Sequence, residues 1–358
     1  VSLTIIECNL GNMNYELPDN MQNLVLKKNK LTELSGLPYG LVTLDCSVNP
    51  MLRLNLGNPL YMNLRELDCS KCQLTELPEL PHTLQKLNCS QNNGLANLPV
   101  LPIALEYLDC SVCNLTELPE FPEGSKLKVL KCTCNKITVL PHLPTMLETL
   151  NCSYNNLTNM QLQLPNTLMD LECAYNYIIS LPSMLPHVLV DLNCARNQLT
   201  TLPITLPPTL DSLICADNKL TWRPKLPSTL SELDCSNNML SILSLSVPDG
   251  LTWLDCRNNP GLKWLPPMPS TMKLICTDTV SIHLNESEDY VDITPEVIEK
   301  INKEHDQLLL KWHASRLAIY RTELLERHAE ITLNPDRIAR LIQNGELGEL
   351  GTWSESFG

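Results

Sequence analysis

Two Cys-x-x-Cys pairs, Cys69/Cys72 and Cys110/Cys113, have the spacing with which a chain offers paired thiolates to zinc, and Cys132 and Cys134 follow closely. The chain holds 16 Cys in 358 residues, a number that also raises a disulfide framework, although such frameworks belong to short secreted chains. Acid–base chemistry would fall to histidine. His82, His142 and His187 lie beside prolines, His305, His313 and His328 lie in a charged tail, and none has a nucleophile at a recognisable spacing. No phosphate-cradling loop or dinucleotide fingerprint is present.

The remaining cysteines decide what positions these residues. Thirteen Cys stand at 8, 46, 69, 89, 110, 132, 152, 173, 194, 215, 235, 256 and 276, with Leu26 filling the place between the first two, so the chain repeats about every 20 residues. A fixed period of that length means a solenoid. The unit reads L-x-x-L-x-C-x-x-N-x-L, as in Leu230-Ser-Glu-Leu233-Asp-Cys235-Ser-Asn-Asn238. Alternation around each Cys predicts a short strand with Leu and Cys inward, and stacked coils predict one parallel sheet of about 65 Å. Cys69/Cys72 and Cys110/Cys113 then sit two coils, roughly 10 Å, apart and cannot share a zinc ion. Cys72 and Cys113 occupy the slot that Asn fills elsewhere, and Cys134 faces outward, so no metal or other cofactor is expected.

That slot holds Asn29, Asn49, Asn92, Asn135, Asn155, Asn176, Asn197, Asn218, Asn238 and Asn259. An inward amide supplies donors and an acceptor to backbone that turns away from water. Past it runs L-T-x-L-P-x-L-P, and 25 of the 27 Pro precede residue 281, which predicts an extended, helix-free back to each coil.

This unit closely resembles the short leucine-rich repeats of bacterial effectors injected into host cells, the Yersinia outer protein M and Shigella IpaH type, over about residues 1–280. The resemblance implies an α/β repeat solenoid: a curved leucine-rich-repeat horseshoe with a parallel concave sheet, extended convex segments and a C-terminal helical cap. Inward Cys, where those effectors often carry Val or Leu, is also similar to repeats of large DNA viruses of amoebae, and Asn334-Pro-Asp-Arg-Ile-Ala-Arg-Leu341 is loosely reminiscent of their protein ends. The ligase members of the effector family add a helical catalytic domain with a nucleophilic Cys. Here Cys276 is the last Cys and about 80 residues follow, so ligase activity does not transfer. The N-terminal helical cap of those effectors is not expected either, because Leu3 to Cys8 already fits a repeat.

Residues 281–358 lose both period and Cys. Asn285 to Asp292 reads as an acidic connector. Thr294-Pro295-Glu296 starts a long amphipathic helix to about Ala329, and Asn334-Pro335 starts a second one that Asn344-Gly345 stops. These helices suit a cap over the last coil, or a docking element.

Charge sums to 26 basic minus 40 acidic residues, or −14, which disfavours nucleic acid and anionic lipid. No apolar run is long enough to span a membrane, and Val1 to Leu10 lack the basic and apolar regions of a secretion signal, although a start at Val1 instead of Met leaves room for a removed leader. Reduced, buried Cys suit a reducing intracellular compartment, the cytoplasm of a host if the chain is an effector or viral. The outward residues just before each Cys, from Glu7 to Ile275, form a column rich in acid, and those just after it are small and leave a trough. Tyr154, Tyr175 and Arg196 project from consecutive coils, of the types enriched at binding hot spots. The expected partner-binding residues are Asp109, Tyr154, Asp170, Glu172, Tyr175, Asp191, Arg196, Asp234, Trp253 and Asp255. They imply a non-enzymatic scaffold whose acidic concave face binds a protein, one with a basic surface. The alternative is a structural part of a larger assembly, a virion or coat, docking through its edges and tail.

Overall fold

A computed structural model describes residues 1–11, 17–59, 62–160, 163–221, 225–241, 243, 247–262 and 269, and the backbone of Leu274–Cys276, His283–Glu286 and Asp289–Asp292. Its main element is a fourteen-stranded parallel sheet whose strands follow chain order. Each strand has three residues, from Ser2–Thr4 and Asn23–Val25 to Trp253–Asp255 and Leu274–Cys276. The alternation appears as expected, for the central Leu of Thr149–Asn151, Asp170–Glu172 and Asp191–Asn193 is buried and its neighbours are half-buried.

The core is two columns of small and branched side chains. Leu130, Leu150 and Leu171 stand in one and Cys132, Cys152 and Cys173 in the other, all fully buried. Burial pushes the Cys132 thiol up to about 12, and those of Cys152 and Cys173 well above the ordinary range, so they act as apolar filling. Beneath them each Asn completes the backbone. Asn155 Nδ2 donates to the carbonyls of Cys132, Cys152 and Ser153 at 2.9, 3.1 and 3.2 Å, and its Oδ1 accepts the Ile137 N–H at 3.0 Å. The same pattern runs through Asn176, Asn197, Asn218, Asn238 and Asn259.

Among the described residues there is no helix. The backs return through extended Pro segments and then a tight turn in which a Pro carbonyl accepts the N–H of the first repeat Leu, as Pro165 from Leu168 at 3.1 Å and Pro207 from Leu210 at 3.2 Å. A Thr just before that Leu reaches back one coil, Thr167 Oγ1 donating to the Leu147 carbonyl at 2.7 Å and Thr209 Oγ1 to that of Leu189 at 2.8 Å. In the turn closed by Pro38 and Leu41 the place is taken by Gly40, where a Cβ would meet the Asp19 carbonyl oxygen at 2.8 Å.

Both end coils differ from the sequence reading. Leu3 pairs with Leu24, so Ile5, not Cys8, matches Leu26, and the first interval becomes 21 residues instead of 18. Cys8 therefore belongs to the Asn slot, with Cys72 and Cys113, and it is exposed. At the other end Cys276 pairs with Asp255, one place short of Cys256, so the column position assigned to Ile275 belongs to Cys276. The segment read as a connector, Asn285 to Asp292, overlaps an antiparallel pair, His283–Glu286 with Asp289–Asp292. The helices expected after Thr294, and with them the helical cap, lie outside the described residues.

Candidate functional site

Three consecutive coils bring together six of the ten expected residues. Asp170 and Asp191 are neighbours across adjacent strands, as are Glu172 and Asn193, whose Nδ2 donates to Glu172 Oε2 at 3.3 Å. At the strand exits Tyr154 and Tyr175 stack with ring centroids 4.0 Å apart and planes within 13°. The Arg196 guanidinium lies over the Tyr175 ring, 4.7 Å from its centroid, and pairs at 3.3 Å with Asp217 of the following coil. Tyr154, Tyr175, Arg196 and Asp217 thus form one continuous side-chain ladder. Asp217 was missed by the sequence reading, although its place two residues after Cys215 marks it.

Backbone geometry puts these side chains where they are. The residue two past the core position has positive φ in every described coil from Glu7 to Asn258, including Tyr154 and Tyr175, both at 55°, and Arg196 at 52°. This left-handed turn lifts the side chain out of the strand exit while its N–H continues the sheet, Tyr175 donating to the Ala195 carbonyl at 3.0 Å and Arg196 to that of Ala216 at 2.8 Å. In the first two coils the same positions hold Glu7 and Lys28, whose charged ends meet at 2.6 Å. The hydrogen bond with Lys28 keeps the Glu7 carboxyl below its ordinary range.

Other expected residues are spent on local structure. Asp109 Oδ1 accepts the Ser111 N–H and Asp234 Oδ1 that of Ser236, each at 3.0 Å, and Asp255 Oδ1 accepts the Arg257 N–H at 3.1 Å while its carboxylate grips the guanidinium. Asn88 does the same for Ser90, so this column fastens the turn as well as facing outward. Burial raises the Asp109 carboxyl and pushes Asp234 up to about 6, against the opposing hydrogen bonds from Ser111 and Ser236. Asp109 lies two strands before the Tyr154 coil, and Asp234, Trp253 and Asp255 lie two or three strands beyond the Arg196 coil.

The small residues expected to line a trough are buried instead of open: Ser70, Ser90, Ser111, Ser153, Ala174, Ala195 and Ala216, the three Ala forming a small cluster against Ile214. Small residues are there to let adjacent turns pack. Among the described residues no group of three or more His, Cys, Asp or Glu stands where it could hold a metal ion, and no helix is long and apolar enough to cross a membrane.

A family model described as leucine-rich repeats (two copies) matches residues 63–102. Among solved structures the chain is similar to YopM from Yersinia enterocolitica, 36% identical over 79% of this chain and 64% of that one, with a TM-score of 0.69. The chain therefore spans less than two thirds of that protein. It is similar also to YopM from Yersinia pestis, a leucine-rich effector protein, 30% identical over 74% of this chain and 79% of that one, with a TM-score of 0.62. InlJ from Listeria monocytogenes, whose functional domain includes a cysteine ladder, is 25% identical over 72% and 67% of the two chains, with a TM-score of 0.55. No curated protein matches the sequence.

Proposed function

Because the chain belongs to the leucine-rich-repeat family, in the form carried by bacterial effectors, we propose that it is a non-enzymatic scaffold that binds a basic protein partner on the exposed face of its long sheet. The fold is generally a protein–protein interaction scaffold. The observation that carries the location is the ladder from Tyr154 to Asp217, standing beside Asp170, Glu172 and Asp191. Stacked Tyr and Arg offer wide, stiff contact area at little cost in rotamer freedom, and the neighbouring carboxylates select a cationic surface.

Charge along the sheet supports the same half of the molecule. The six strands from Thr149–Asn151 to Trp253–Asp255 hold six acidic residues and neither Lys nor Arg, whereas the six from Asn23–Val25 to Val129–Lys131 hold four acids with Lys86 and Lys131. In this reading the sheet is the concave side of a horseshoe and the buried thiols operate in a reducing compartment. A photo-crosslinking residue in place of Tyr175 should trap one partner from host-cell lysate. The same residue at Met184, exposed on the opposite, Pro-rich side, should trap none. Capture from position 184 with none from 175 would move the binding surface to the back.

A further inference from the structure

Exposed apolar side chains are concentrated on one coil. Among the described residues sixteen large apolar side chains are exposed, and six of them lie between Leu168 and Val188: Met169, Tyr175, Tyr177, Ile179, Met184 and Val188. No other described coil exposes more than two. Past the strand exit, alternation sets their direction. Asn176 and Ile178 are buried, and Tyr177 and Ile179 stand outward at 54% and 58% exposure. The same places on the adjacent coils hold Asn156 and Thr158 on one side and Gln198 and Thr200 on the other, so polar side chains border the pair. Thr and Asn thus serve at both places one coil away, and folding does not require the apolar pair. Burial against a partner gives a reason for it.

The row continues the proposed binding surface. Met169 immediately precedes the strand Asp170–Glu172, and Tyr175 of the side-chain ladder follows it. Along one coil the outward order is therefore apolar, acidic, acidic, apolar, with Tyr177 and Ile179 beyond, and Asp191 is the cross-strand neighbour of Asp170. We propose that the partner presents a basic amphipathic polypeptide segment, with Lys or Arg set among large apolar side chains, that crosses the sheet at this coil and continues over its exit edge. Its cations meet Asp170, Glu172 and Asp191, and its apolar side chains cover Met169, Tyr175, Tyr177 and Ile179. The inference rests on the reading of this face as the binding surface and adds the apolar half of the partner. The carboxylates repel a nucleic-acid backbone, and a purely cationic segment would leave Tyr177 and Ile179 in water. Met184 and Val188 lie past Pro182, on the Pro-rich back, and take no part.

The test selects short random peptides, displayed on phage, on the immobilised full chain and measures binding of the synthesised selected peptides by fluorescence anisotropy. We expect peptides that combine Lys or Arg with Leu, Ile, Phe or Trp. Tyr177→Ser/Ile179→Ser should bind them about tenfold or more weakly, the effect of one or two apolar side chains no longer buried. Met184→Ser/Val188→Ser should bind them as the wild type does, and since all four side chains are exposed both variants should keep the wild-type unfolding transition. Selected peptides that are basic but polar, or that lose affinity for Asp170→Lys/Glu172→Lys/Asp191→Lys and none for Tyr177→Ser/Ile179→Ser, would overturn the amphipathic segment and leave the acidic surface standing. Peptides that bind the triple variant as they bind the wild type would overturn the acidic surface itself. Enrichment of no peptide would overturn the inference as well.

Discussion

At the scale of residues, the buried amide is the costliest side chain to remove. Asn155→Ala strands the Ile137 N–H away from water and leaves the Cys132 and Cys152 carbonyls with one amide donor each, from Asn135 and Asn176, so denaturant unfolding should show a loss of about 1–3 kcal/mol. Asn155→Cys should lose less, because Cys72 shows that a thiol in this slot still donates to the preceding core carbonyl. Asp234 gives a pH signature. Its folded value of about 6 lies above the unfolded value near 3.9, so the native state binds the extra proton and stability falls as pH rises between those values. Asp234→Asn keeps an acceptor for Ser236, as Asn88 does for Ser90, and should stabilise the chain by about 1 kcal/mol at pH 7 and by nothing at pH 3.5. The Asn and inner Cys columns were legible because burial forces one residue type at each turn. Cys8 was misread because Ile5 can fill the core position as well as Cys does. Only the shortened interval to Leu26 signalled the slip.

At the scale of elements, strand and turn have different claims on sequence. The strands follow from Leu–x–Cys alternation, and their order follows from the period. The turn at each strand exit does not follow, since Val48, Tyr154, Tyr175 and Arg196 all adopt positive φ without being Gly or Asn. Stacking of coils imposes that conformation through the inter-coil hydrogen bonds, and no local propensity announces it. The small column beside that turn was likewise read as an open trough when it is buried. A branched residue carries the largest strain there, so Val48→Asn should raise stability by about 0.5–1 kcal/mol in thermal or denaturant unfolding. In the ladder, a double-mutant cycle between Tyr175 and Arg196 should give a coupling of about 0.5–1 kcal/mol, the range for an exposed cation over a ring.

For the whole molecule, a parallel solenoid offers a surface spread over many coils, and in the proposed function charge selects among them. The sequence reading scattered ten residues between Asp109 and Asp255, while the structure gathers Tyr154, Asp170, Glu172, Tyr175, Asp191 and Arg196 on three coils and adds Asp217. Register between distant repeats creates that grouping, and no single repeat contains it. The most direct test compares partner capture by the wild-type chain with that of Asp170→Lys/Glu172→Lys/Asp191→Lys, matched in folding by circular dichroism and repeated at rising salt. The proposed function predicts that the wild type retains its partner at low salt, releases it as salt screens the contact, and that the triple variant captures none. Equal capture by both proteins, unaffected by salt, would contradict it.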